Sequence, residues 1–271
     1  MGSETLSDEV VVSPALISEH LQRNPMLRKA MDIIWSDSEY IAMLEMSNVM
    51  AVKRLKYNDH GPVHAKIVSG SSLEIFRRIV AHSITPTTIS DGTSSSIEEA
   101  ELIVMLAALL HDIGNSVHRM NHELIGALLS KDLLDRVLLS LFPDDQKKRV
   151  KLRQEVMHGI YATSFDVSSL TIEAGCVKVA DGTDMSEGRA RIPYRMGKND
   201  IHAISALSIE KVTIGSTEET PVVITVYMKE RAGVFQIEQV LVPKIKGSGI
   251  SKWVKVKAVW EGSELPLDFS R

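Results

Sequence analysis

Over most of the first two-thirds of the chain, apolar residues return at intervals of three and four. Tyr40, Ile41, Met43, Leu44, Met46 and Val49 repeat in this way, which predicts a helix running towards Leu55 and capped by Asp37-Ser38. Pro62 suits the first turn of a second helix carrying Val63, Ile67, Leu73, Ile75, Phe76, Ile79 and Val80. Residues 83–96, rich in Ser, Thr, Pro and Gly, read as a loop. Residues 97–112 are apolar nearly all round, the pattern of a helix buried on every side, and Gly114-Asn115 interrupt it. Further helices are expected over about 122–141, 145–161 and 171–181.

Near Leu207 the pattern changes. Ile209, Val212 and Ile214, then residues 222–228, then 253–260, form short β-branched or aromatic stretches bounded by Gly, Thr, Ser or Pro. The last of these largely alternates, as a half-buried strand does. Between the second and third, residues 232–245 suit a helix with Val234, Ile237 and Val240-Leu241 inward, which Pro243 should end or distort. The chain therefore reads as a mainly α unit, residues 1–206, followed by a small α+β unit of β-β-α-β order, residues 207–271.

With 271 residues, 44% of them apolar and 24% charged, the chain can bury a core without disulfide or metal staples. Its single cysteine, Cys176, sits in an apolar stretch and forms no intrachain disulfide, which fits a reducing compartment. The balance of 31 basic and 35 acidic residues, net −4, argues against a protein built to grip a nucleic-acid backbone. It leaves room for a local basic cluster around a nucleotide. The longest apolar run, residues 102–110, falls far short of the ~18 residues of a membrane span. The start, Met1-Gly2-Ser3-Glu4, lacks the apolar core of a secretion signal, so a cytoplasmic location is expected.

The chemistry centres on Leu109-Leu110-His111-Asp112-Ile113-Gly114, where a buried helix delivers an imidazole and a carboxylate side by side. A charged Asp at the end of such a helix is costly unless a cation pairs with it. A divalent metal satisfies both residues together; a helix-capping Asp beside a core His is the other reading. Upstream lies Asn58-Asp59-His60-Gly61-Pro62-Val63-His64, and downstream Val177-Lys178-Val179-Ala180-Asp181-Gly182.

The order His, His-Asp, Asp inside helices resembles the HD superfamily of metal-dependent phosphohydrolases, over about residues 58–195. The resemblance implies a helical HD fold with His64, His111, Asp112 and Asp181 as metal ligands. Val68, four residues after His64, keeps the family's apolar spacing, so His60 falls behind the ligands or towards substrate. His122-Glu123-Leu124-Ile125-Gly126-Ala127 and His158-Gly159 are similar to the additional ligand positions of binuclear members, with Asp112 bridging two ions. His118 lies on the same helical face and competes with His122. The donor set implies one or two ions of Mn, Fe, Co or Zn. Residues 57–61 and 242–249 also look like an uncharacterised, largely prokaryotic branch of predicted HD hydrolases, which brings no assigned substrate.

Arg189 and Arg191 follow Asp181 closely and suit a substrate phosphate, because guanidinium donates two parallel hydrogen bonds. Lys66 and Arg119 are further candidates. The expected activity is hydrolysis of a small-molecule phosphomonoester or phosphodiester, such as a nucleotide, by metal-activated water, with Asp112 or His60 relaying the proton. Two other readings share this site: an HD-type di-iron oxygenase, and a regulatory module that binds a nucleotide with little turnover. Open sheet edges in the C-terminal unit suggest a homodimer.

Overall fold

The computed structural model describes residues 9–185 and 201–267. Two helices, α1 (Leu16–Arg23) and α2 (Pro25–Ser36), precede those expected from periodicity. Asn24 starts α2 by accepting from the N–H groups of Met26 and Leu27, with Pro25 at the first helical position, and Leu27, Ala30, Met31 and Ile34 face inward. Asp37 then caps α3 (Ser38–Asn48) through bonds from the Glu39 and Tyr40 N–H groups. Next come α4 (Pro62–Ala81), the short α5 (Thr87–Ser90), α6 (Ile97–Leu110), α7 (His122–Leu141), α8 (Gln146–Tyr161) and α9 (Ile172–Thr183). Ser96, Asp145 and Thr171 cap α6, α8 and α9.

Helix α6 lies at the centre, packed by α2, α4, α8 and α9. Neighbours on all sides explain why its sequence has no polar face; every residue from Glu99 to Leu110 is buried. Its few polar groups are paired at one end, where Glu101 accepts from Arg77 and Asn24.

The C-terminal unit has the expected β-β-α-β order. β2 (Ile209–Gly215) pairs antiparallel with β3 (Val222–Met228), placing Val212 opposite Val226. A helical crossover then returns the chain to β4 (Val254–Trp260), which runs parallel to β3 with Val256 opposite Ile224. Pro243 distorts the crossover as expected. A π-helical turn, Ile237–Leu241, precedes the helix Val242–Lys246 that carries it. The wider turn accommodates a residue that lacks an N–H and crowds the preceding turn.

Two-residue strands flank this sheet. β1 (Val10–Val11) pairs with β2, and β5 (Ser263–Glu264) pairs with β4. The sheet thus draws on both ends of the chain, and the outer edges of β2 and β4 are already partly occupied. Among the described residues, no helix is long and apolar enough to cross a membrane.

Candidate metal centre

Three local devices bring the His and Asp side chains together. The first is a clamp on the loop before α4. Asn48 accepts from the His60 N–H (2.8 Å) and donates to Asp59, whose other oxygen accepts from the His64 N–H (3.2 Å). Asp59 thereby satisfies an otherwise unpaired N–H in the first turn of α4 and fixes where His60 and His64 leave the backbone.

The second device ends α6. Tyr40 donates its hydroxyl to the Leu109 carbonyl (3.0 Å), and Ser47 and Asn115 both donate to the Asp112 carbonyl (3.1 Å each). These bonds satisfy carbonyls at the helix terminus, so the chain can turn into the 3₁₀ segment Ile113–Ser116 while His111 and Asp112 stay buried. The third is close packing of α7 on that turn. A Cβ on Gly114 would lie 1.9 Å from the His122 carbonyl oxygen, so the approach that brings His122 to Asp112 requires glycine.

The side chains of His64, His111, Asp112 and Asp181 converge. His64 Nε2 lies 3.2 Å from His111 Nε2, 3.3 Å from Asp112 Oδ2 and 3.3 Å from Asp181 Oδ1. His111 Nε2 lies 3.4 Å from Asp112 Oδ2 and 3.7 Å from Asp181 Oδ1. Partners on the far side of each ring set the tautomers. His64 Nδ1 donates to Asp184 Oδ2 (2.6 Å) and His111 Nδ1 to the Ala108 carbonyl (2.8 Å), which leaves a lone pair at each Nε2. The two imidazole lone pairs thus face both Asp112 Oδ2 and Asp181 Oδ1 in a largely buried cluster.

Such a cluster calls for a cation, and its size fits one. Donor atoms ~2.0–2.2 Å from a first-row divalent ion stand roughly 3.0–3.6 Å apart. The side chains of His64, His111 and Asp112 are at most 4% exposed, and that of Asp181 is 15% exposed.

The carboxylates are ionised. Burial alone would push the Asp112 carboxyl up, but the His60 ring beside it, which donates a hydrogen bond to it, holds it well below the usual carboxylate range. Burial also acts against the Asp181 anion, and the charge of the Lys244 ammonium overcomes it, holding the carboxyl well below its ordinary value.

Around this core, His60 Nδ1 donates to Asp112 Oδ2 (2.6 Å). His122 Nε2 lies 3.3 Å from Asp112 Oδ1 and 3.0 Å from an Arg119 guanidinium nitrogen, which also donates to Asn115 (3.3 Å). His118 is exposed and accepts from the Met120 N–H, so His122 is the member of that pair at the site. His158 stands apart: its Nε2 accepts from the Leu170 N–H (3.1 Å). Lys66 lies over the Trp35 ring, 4.5 Å from its centroid, and not at the cluster. Arg189 and Arg191 fall outside the described residues.

Two residues that the sequence reading did not assign to the site belong to it. Asp184, three positions beyond Asp181, holds His64. Lys244, from the C-terminal crossover, donates to Asp181 Oδ2 (2.6 Å) across 63 positions of chain, a pairing that no local pattern announces.

Comparison with known proteins agrees with this geometry. A model of the HD domain matches residues 59–186, a span that contains His60, His64, His111, Asp112, His122 and Asp181. The chain belongs to the HD superfamily of metal-dependent phosphohydrolases. It is 46% identical over 215 residues to the uncharacterised protein MJ1020 of Methanocaldococcus jannaschii, an alignment covering 79% of this chain and 82% of that protein. No solved structure gives a significant match.

Proposed function

We propose that this chain hydrolyses a small-molecule phosphoester, with one divalent transition-metal ion held by His64, His111, Asp112 and Asp181. The observation that carries this reading is the gathering of His64, His111 and Asp181 into a group able to hold an ion, with Asp112 Oδ2 3.3–3.4 Å from the inner nitrogens of both imidazoles. An ion bound there supplies Lewis acidity, lowering the pKa of a coordinated water and offsetting charge on phosphoryl oxygens. Mn, Fe, Co and Zn suit a set of two imidazoles and two carboxylates.

The chain's own groups then have defined tasks. Asp184 and the Ala108 carbonyl keep His64 and His111 in the tautomer that points a lone pair inward. His60 holds a proton at Nδ1 against Asp112, which leaves Nε2 as its accepting nitrogen and suits it to relay a proton. Arg119, already beside His122, offers its guanidinium to the substrate phosphate. Arg189 and Arg191, closely following Asp184 in the chain, are assigned the same task on sequence grounds.

The closeness of His122 to Asp112 Oδ1 favours a second reading with two ions. It would require Arg119 to leave His122, and the Leu170 N–H to give up His158. One ion therefore fits the geometry better. A homodimer remains our expectation for the assembly, through a surface other than the strand edges that β1 and β5 take.

The test is a panel of nucleoside monophosphates, cyclic nucleotides, dinucleoside polyphosphates and simple phosphoesters, assayed with metal-stripped protein and each of the four metals restored. Phosphate release that depends on metal and disappears in Asp112→Asn is the expected result. Arg119→Ala, Arg189→Ala and Arg191→Ala should raise KM more than they reduce metal content. Absence of turnover on every member of the panel with metal bound would defeat the proposal.

A further inference from the structure

We infer that Lys244, carried by the C-terminal crossover, is a positioning residue of the metal centre, gripping one oxygen of Asp181 so that the other faces His64 and His111. Lys244 Nζ lies 2.6 Å from Asp181 Oδ2, whereas Oδ1 is 3.3 Å from His64 Nε2 and 3.7 Å from His111 Nε2. The ammonium is itself fixed. It also donates to the Thr163 carbonyl (3.2 Å) and lies 4.6 Å from the centre of the Phe165 ring, and the side chain is 7% exposed. A lysine held from three directions is a buried fixture and not a surface charge that happens to reach an acid.

The backbone arrangement makes this geometry possible. A Cβ on Gly182 would stand 3.2 Å from Lys244 Cδ and 3.2 Å from Leu241 Cδ1, and one on Gly175 would stand 2.3 Å from the Ser248 carbonyl oxygen. The Ser169 N–H also donates to the Gly247 carbonyl (3.0 Å). The crossover is thus seated directly on α9, the helix that delivers Asp181. The change at residue 207 is accordingly one of architecture and not of function: the C-terminal unit completes the site.

A carboxylate with one oxygen bonded to an ammonium presents the other to an ion, in one orientation. Without that grip the carboxylate is free to turn and to bind through both oxygens. The inference rests on the proposal that Asp181 is a ligand, so the test separates the two.

Metal-stripped full-length protein is titrated with Co²⁺, reading both affinity and the visible spectrum, which reports coordination number and geometry. The thermal midpoint of the stripped protein is followed in parallel. Lys244→Met should bind Co²⁺ roughly 10–100-fold more weakly, the usual penalty for losing a partner of a metal ligand. Its spectrum should change, and Lys244→Arg should restore most of both. Lys244→Gln provides the same comparison if the Met variant does not fold. Wild-type affinity and spectrum in a folded Met or Gln variant, whatever its midpoint, would overturn the inference. If Asp181→Ala also titrates like wild type, the ligand assignment has failed and this inference with it; if Asp181→Ala loses the ion and Lys244→Met does not, only the inference has failed.

Discussion

His64 and Asp184 stand 120 positions apart in the chain, and their side chains meet with Nδ1 2.6 Å from Oδ2. Both are buried, so the pair fixes the proton on the outer nitrogen of His64 and leaves the inner one with the lone pair that the proposed ion would take. Asp184→Asn keeps the shape but permits an amide that donates, which favours the wrong tautomer. Metal affinity of the stripped protein should fall by roughly 10–100-fold. Titration with Mn²⁺ or Co²⁺ measures this, and an affinity equal to wild type would remove Asp184 from the account.

Gly114 offers a test of the local packing that makes the site. An added methyl would press on the His122 carbonyl oxygen at 1.9 Å, a backbone atom that cannot swing aside. Gly114→Ala should cost at least about 1–3 kcal/mol of stability, the usual range for overpacking. It should also shift α7 away from Asp112. Urea unfolding monitored by circular dichroism gives the number; a midpoint equal to wild type would mean that the approach of α7 is not tight.

Much of this architecture was legible in the residues, and the reasons differ from element to element. The apolar surround of α6 declared a central helix, and His111-Asp112 at its end could not lie buried there without partners. Asp37 announced the start of α3 through its side-chain oxygen. The Asn24-Pro25 start of α2 carried the same kind of signal, and Leu27, Ala30, Met31 and Ile34 the matching spacing. Strand β1 gave no signal, since two residues make no period and Val10 is placed only by pairing with Ile214. Lys244 was hidden for a related reason: its partner lies 63 positions away and is joined through tertiary packing alone. His158 shows the reverse, a residue at a family-like position whose ring is engaged by the Leu170 backbone instead.

The pH dependence of stability has one identifiable source at the sheet edge. Burial alone would raise the Glu9 carboxyl, but hydrogen bonds from Thr213, Tyr227 and Thr225 and the charge of Lys257 bring it below its ordinary value. A carboxyl lowered by folding stabilises the folded state above its unfolded value, and that contribution disappears as pH falls through the folded one. Glu9→Gln should therefore lower the urea midpoint at neutral pH, and the gap to wild type should narrow as pH drops below the carboxylate range. A gap that is the same at pH 7 and in acid would show that Glu9 does not pin β1 by its charge.

The proposal stands or falls most directly on the metal-to-protein ratio of the purified protein and its variants, measured by elemental analysis after loading and removal of free ion. Wild type should hold close to one ion per chain. His111→Ala and Asp112→Ala should hold almost none, and His158→Ala should match wild type. Full occupancy in the folded His111→Ala and Asp112→Ala variants would contradict the site described here.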